Sequence, residues 1–278
     1  MWHGSRKRRR PLGTGPLRLI WPLLLSLVSA CGTLTLEQEK ELGDEQVAQL
    51  NEQVSLVTAR PVVGYVNQLG GELLAAAPAS GYQVSFRVIN SNALNAFAIA
   101  GGNIYVTTGA IVASRNSAEL ASILAHEIAH VRLGHIRDHY HRFRNTRTAA
   151  ELTAITIALI TGNPFLAGAG DFAANVGSSA YVASHSREAE RDADSMAFEI
   201  MLAAGFDPRS QLTLLSRLHA ASLVQDTPLP FLLSHPLPAE RVEEARLRIS
   251  GVSQRDTWQI RDGGSLEEIQ ALLLPQVP

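Results

Sequence analysis

His126, Glu127 and His130 are the residues best placed to do chemistry in this sequence. They form a His-Glu-x-x-His pattern. On a helix, residues four apart share a face, so both imidazoles can reach one metal ion. Glu127 lies on the same turn as His130 and can act on a water bound to that ion. Neutral imidazole suits zinc, and three protein ligands leave a fourth position for water, whose pKa then falls to about 7. Glu127 would take that water's proton as it attacks a carbonyl, which makes it the expected catalytic general base. The chain holds one cysteine, so a multi-thiolate zinc site is excluded and the metal must be held by His and carboxylate. A solvated helix carrying the pattern by chance is the alternative. Ile123, Leu124, Ile128 and Leu133 surround the motif and argue that the helix is partly buried, where two His and a Glu need a partner.

A third ligand is required. Leu133 and Ile136 stand where a metzincin would place Gly and His, which excludes that class. His135 falls on a different face of the helix and reads as a surface histidine. The later helix, Ser186 to Ala204, offers Glu188, Glu190, Asp192 and Asp194 beside an apolar stripe of Val182, Ala189, Ala193, Met196 and Ile200. Glu190 sits nearer the stripe than Glu188. Glu190 and Asp194 project together, so Glu190 could ligate the metal while Asp194 receives the N–H of a ligand histidine. His235 lies in a proline-rich loop. It is either a packed loop residue or a cleft residue, and there it could donate to the oxyanion or occupy the fourth metal position in a latent state. Arg241 would brace that loop.

The remaining sequence must position these groups. The 278 residues are 46% hydrophobic and 18% charged, enough for a sizeable core and too apolar for disorder. Six of the 24 basic residues lie in residues 1–30, which hold no acid; residues 31–278 keep 18 against 26 acidic, a formal −8. A body of that sign disfavours nucleic acid as a partner.

Residues 1–30 read as a signal peptide: RKRRR, then an apolar stretch from Leu17 to Val28. Val-Ser-Ala-Cys ends it and resembles a bacterial lipobox, with Cys31 as the lipid anchor; an uncleaved signal anchor is the alternative. Gly32 after the cysteine resembles outer-membrane signals, so the expected location is an outer-membrane lipoprotein facing the periplasm. Residues 31–60 read as a tether or surface helix, 61–250 as the metallopeptidase domain, and 251–278 as a tail with a short helix.

The expected fold class is α+β, mainly α, with a small antiparallel sheet before the motif helix. Pro61 opens a helix carried by Val62, Val63, Val66, Leu69 and Leu73. Tyr82 to Ile89 alternates as a strand. Asn95 to Ala100, Gly101-Gly102 and Asn103 to Thr107 read as a hairpin with a two-residue turn. Asn116 and Glu119 suggest a capping box for a helix over 117–133, stopped by Gly134. Leu152 to Gly170 carries no charge; its interior Gly-Asn-Pro favours a buried or membrane-leaning helical hairpin, with a transmembrane helix as the alternative.

HEIAHVRLGH, the later SREAERDADSMAF and the SHPLPAERV segment resemble the gluzincin peptidases of the HtpX and BepA type, as does NAFAIAGGNIYVTTGAI upstream. The likeness spans about Pro61 to Arg246. It implies His126, His130 and Glu190 as ligands of one zinc ion per chain, Glu127 as general base, and Asp194 behind the ligands. It resembles the periplasmic lipoprotein branch, without the tetratricopeptide array of BepA-like members. The implied function is a zinc metalloendopeptidase acting on misfolded or unassembled cell-envelope proteins. The rivals are a chaperone-like assembly factor with latent or structural zinc, and a zinc hydrolase of peptidoglycan amides. An edge strand at Asn103, Ile104 and Tyr105 is the expected place for an extended substrate to pair.

Overall fold

A computed structural model describes residues 1, 34–143, 185–224, 230–237, 239–253, 258–260, 262 and 264–274. Cys31, the leader and the uncharged 152–170 stretch lie outside the described residues. None of the described helices is long and apolar enough to cross a membrane.

Helix α1 (Leu36–Gln53) begins at a capping box, with Thr35 and Gln38 satisfying each other's amides. Of the two readings for this region, a docked surface helix is the one found. Its buried residues are Glu39, Gly43, Gln46 and Leu50, and the approach is so close that a Cβ on Gly43 would lie 2.2 Å from the Ala100 carbonyl oxygen. Helix α2 (Arg60–Ala76) has proline in its first turn and buries Val62, Val66, Leu69 and Leu73 on one stripe.

The strands are β1 (Ser85–Ile89), β2 (Ala96–Ile99) and β3 (Asn103–Thr107), in spatial order β1-β3-β2. β2 and β3 form the expected hairpin. The turn is three residues rather than two: Ala100–Gly102 makes a 3₁₀ turn, with Gly101 at φ 74° and Gly102 at φ 81°. The sheet is mixed rather than antiparallel, because β1 joins β3 in parallel, Ser85 opposite Asn103.

This topology corrects the expected substrate strand. β3 is paired on both sides, so Asn103, Ile104 and Tyr105 form no edge. Asn103 braces the hairpin turn instead: its Nδ2 donates to the Ala100 carbonyl at 2.9 Å and its Oδ1 accepts from Ser85 Oγ at 2.9 Å. Ile104 is in the core, and the wholly buried Tyr105 ring stacks on Phe97 with centroids 5.3 Å apart. The error has a plain cause: period-2 alternation shows which residues form a strand, not which neighbours it acquires.

Helix α3 (Thr108–Ala113) leads to α4 (Ser117–Leu133). The Asn116 side chain caps α4 by accepting from the Glu119 amide at 2.9 Å. Glu119 does not close the box; its carboxylate takes the Arg115 amide at 2.9 Å and pairs with Arg217. Every residue from Ser117 to Val131 is buried. α4 is therefore the central helix, covered by neighbours on all sides, and Gly134 ends it at φ 73°.

Five further helices follow among the described residues: α5 (His135–Phe143), α6 (Arg187–Ala203), α7 (Arg209–Ser222), α8 (Pro230–Ser234) and α9 (Ala239–Ser250). α10 (Ser265–Leu273) closes the fold against α2 and α3. α6 lies along α4, with α2 and α7 also against it. The packing of α6 on α4 brings the two motif segments together, and Ala193, Ala197, Ile200 and Met201 hold that seam shut. Burying Ile200 or Met201 contributes roughly 2 kcal/mol each from apolar area alone.

Candidate metal centre

His126 and His130 lie one turn apart on α4, both buried, with their Nε2 atoms 3.0 Å apart. Glu190, in the first turn of α6, faces them. Its Oε2 is 3.3 Å from His126 Nε2 and its Oε1 is 3.3 Å from His130 Nε2. His235, at the end of α8, places Nδ1 3.1 Å from Glu190 Oε1. One ligand atom from each of these four residues lies within 4.8 Å of the others.

This donor set fits a divalent metal. Four ligands about 2.0–2.1 Å from a tetrahedral zinc ion lie about 3.3 Å from one another, and the His–His and His–Glu separations match that spacing. Inward-turned nitrogens and oxygens in a dry pocket are costly unless something shared satisfies them. His235 Nε2 lacks a hydrogen-bond partner of ordinary geometry among the described residues.

Glu127 points into the same space. Neither of its oxygens has a side-chain hydrogen-bond partner among the described residues, and His235 Nε2 stands 3.4 Å from Oε1. Burial raises the Glu127 pKa, against the pull of His235, His126 and the nearby Ala98 amide. A carboxyl raised this way is a better proton acceptor than an exposed glutamate.

Behind the ligands, Asp194 Oδ1 is 3.1 Å from His126 Nδ1, the position expected of it. Burial works against charge on both carboxylates, yet both titrate low. Arg241 is the main reason: it holds Glu190 well below the usual carboxylate range and Asp194 down to about 2. Burial also disfavours a charged His126, but hydrogen bonds to Asp194 and Glu190 outweigh it and push the ring up to about 10. Burial holds His130 well below its ordinary value, with repulsion from His126 and His235 adding to it.

The expected site residues His126, Glu127, His130, Glu190, Asp194 and His235 thus come together, from α4, α6 and the end of α8. Three residues do more than the sequence suggested. Arg241 braces the His235 loop as expected, donating from Nη1 to the Pro236 carbonyl at 2.7 Å. The same guanidinium also reaches Glu190 Oε2 at 2.6 Å and Asp194. A signal existed: Arg241 falls on the buried stripe of α9 with Val242 and Ala245. His135 is not a surface histidine. It is half-buried, and its Nδ1 lies 2.9 Å from His130 Nδ1. His185, just before α6, stacks on the His130 ring with centroids 3.9 Å apart; nothing in its sequence neighbourhood pointed there.

With this geometry in place, residues 63–249 match peptidase family M48. The chain belongs to peptidase family M48. This M48 chain is 31% identical over 238 residues to the beta-barrel assembly-enhancing protease of Yersinia pestis, covering 84% of the chain and 48% of the relative. It is 26% identical over 214 residues to the mitochondrial metalloendopeptidase OMA1 of Schizosaccharomyces pombe, covering 76% and 61%. The metalloprotease LoiP of Escherichia coli matches at 23% identity over 219 residues, covering 77% and 81%. The chain spans about half the length of the assembly-enhancing proteases it matches.

Proposed function

We propose that this M48 chain is a zinc-dependent metalloendopeptidase that cuts unfolded or unassembled cell-envelope proteins. The observation that carries the reading is the convergence of His126, His130 and Glu190 on one buried centre, with the Glu127 carboxylate turned into it. His126, His130 and Glu190 would hold the metal. Zinc in that position would supply Lewis acidity, lowering a water's pKa towards about 7 and polarising the scissile carbonyl. Glu127 takes the proton of the attacking water and delivers it to the leaving amine. Asp194 keeps His126 in the tautomer that turns Nε2 inward, and Arg241 keeps Asp194 charged.

His235 stands among the ligand atoms, with one nitrogen towards Glu190 and the other towards Glu127. That position favours the latent reading over the oxyanion role, because the His235 ring stands where it would take the fourth metal position. His235→Ala is then expected to raise peptide cleavage; a loss of turnover with unchanged metal content would restore the oxyanion role.

Among the described strands β2 lies at the edge of the sheet, and its Ala98 amide lies close to the Glu127 carboxylate. Thr107 donates to the Asn95 carbonyl, so Asn95, Phe97 and Ile99 turn their main-chain groups towards β3, while Ala96 and Ala98 turn theirs outward. An extended segment pairing there would be selected by conformation more than sequence, which suits unfolded clients. The names of the relatives support an envelope setting, and a lipid on Cys31 would anchor the chain at the outer membrane facing the periplasm.

Digestion of unfolded casein and of purified peptidoglycan, with and without chelator, tests the reading. Chelator-sensitive casein cleavage, abolished in Glu127→Gln, is expected. Cleavage of peptidoglycan alone would favour the amide-hydrolase rival, and full cellular function of Glu127→Gln would favour the assembly factor.

A further inference from the structure

We infer that His135 is a positioning residue for the metal centre, accepting the Nδ1–H of His130 and so fixing the tautomer and orientation of that ligand. The inference rests on the zinc reading above and deepens it.

His130 turns Nε2 inward, towards His126 Nε2 and Glu190 Oε1. A histidine that gives one ring nitrogen to a metal carries its proton on the other, and that N–H needs an acceptor. For His126 the acceptor is the Asp194 carboxylate. For the fully buried His130 it is His135 Nδ1, at 2.9 Å. Two ring nitrogens at that distance share a single proton. Since His130 Nδ1 holds it, His135 Nδ1 offers its lone pair and carries its own proton on Nε2. One contact therefore determines the tautomers of both rings.

The backbone explains how residue 135 gets there. On a continued helix, a residue five beyond His130 points away from it. Gly134, at φ 73°, ends α4 in the left-handed region and turns the chain, and α5 starts at His135 against the last turn of α4. His185 closes one face of the His130 ring by stacking on it, its main-chain amide donating to the Ser234 carbonyl at 3.1 Å. The His130 ring is thus held at its edge by His135 and on its face by His185.

The two ligand histidines are consequently unequal. Asp194 is a charged acceptor backed by Arg241; His135 is an imidazole. A neutral acceptor makes a weaker hydrogen bond than a carboxylate. Loss of such an outer contact typically weakens metal binding about 10–100-fold, and the lower end is expected here.

The test compares the full chain with His135→Ala and His135→Asn, whose Oδ1 can accept in place of Nδ1. Zinc affinity is read by chelator competition, and the ligand field by the visible spectrum of the cobalt-loaded protein. Nitrogen-15 histidine spectra of the zinc-loaded wild type give the tautomers. His135→Ala should bind zinc about tenfold more weakly with an altered cobalt spectrum, and His135→Asn should recover most of both. Nδ1 of His130 should be protonated, and that of His135 not. His135→Ala with wild-type affinity and spectrum overturns the inference and leaves the zinc reading standing. Equal weakening in Ala and Asn overturns it in favour of packing. A wild type that binds no zinc overturns both.

Discussion

Arg241 grips Asp194 with two nitrogens, Nε to Oδ2 at 2.7 Å and Nη2 to Oδ1 at 2.9 Å, both side chains buried. The guanidinium fork fits the carboxylate face-on, a geometry that lysine cannot reproduce. Its remaining nitrogen serves Pro236 and Glu190, so a single residue ties α9, the His235 loop and α6 together. Removing one partner of a buried pair costs far more than the pair contributes, because the other charge stays in the dry interior. Arg241→Met leaves two buried carboxylates sharing only the protonated His126 and is expected to destabilise the metal-free protein by about 3–5 kcal/mol. Urea unfolding with chelator present measures this. A loss under about 1 kcal/mol, within the range of an exposed pair, would show that the grip carries no such charge compensation.

Metal binding must displace a proton. In the metal-free protein Asp194 and Glu190 push His126 up to about 10, so at pH 7.5 the ring is protonated. An ordinary histidine near 6.5 would already be neutral there. Zinc binding should therefore release about one proton, and affinity should rise roughly tenfold per pH unit from pH 7 towards 10 rather than level off above 6.5. Calorimetry in buffers of different ionisation enthalpy reads the release directly. A value near zero at pH 7.5 would mean that His126 is neutral before the metal arrives.

Two glycines separate helix propensity from fit. Gly64 on α2 has nothing within 4 Å of where a Cβ would sit, so Gly64→Ala should stabilise by about 0.5–1 kcal/mol. Gly43 on α1 has the same helical setting, but its Cβ would meet the Ala100 carbonyl oxygen at 2.2 Å. That oxygen is backbone in a tight turn and yields little, so overpacking of about 1–3 kcal/mol outweighs the propensity gain. Gly43→Ala should destabilise, with α1 lifting from the hairpin. Thermal melts of both variants decide the signs; stabilisation by Gly43→Ala would mean that α1 is not seated on that turn.

The parts of this site legible in the sequence are those that obey a local period. His126 and His130 follow the helical repeat, as do Glu190 and Asp194, and the fold class followed from the same patterns. Their partners were not all legible, because partners are chosen by tertiary contact. His135 departs from its expected face because the helix that would turn it away stops at Gly134, a stop the sequence shows. The sequence points only to the nearer contact of Arg241, and its reach to Asp194 depends on how α9 crosses α6. The sheet order was equally non-local: the strands announced themselves, but nothing in Asn103 to Thr107 said that β1 would take its second side.

Metal content of purified wild type, Glu127→Gln and Glu190→Ala tests the central claim most directly. One zinc per chain is expected in the wild type and in Glu127→Gln, the latter without hydrolysis, while Glu190→Ala should lose the metal. Full zinc occupancy in Glu190→Ala, or none in the wild type, would contradict the account.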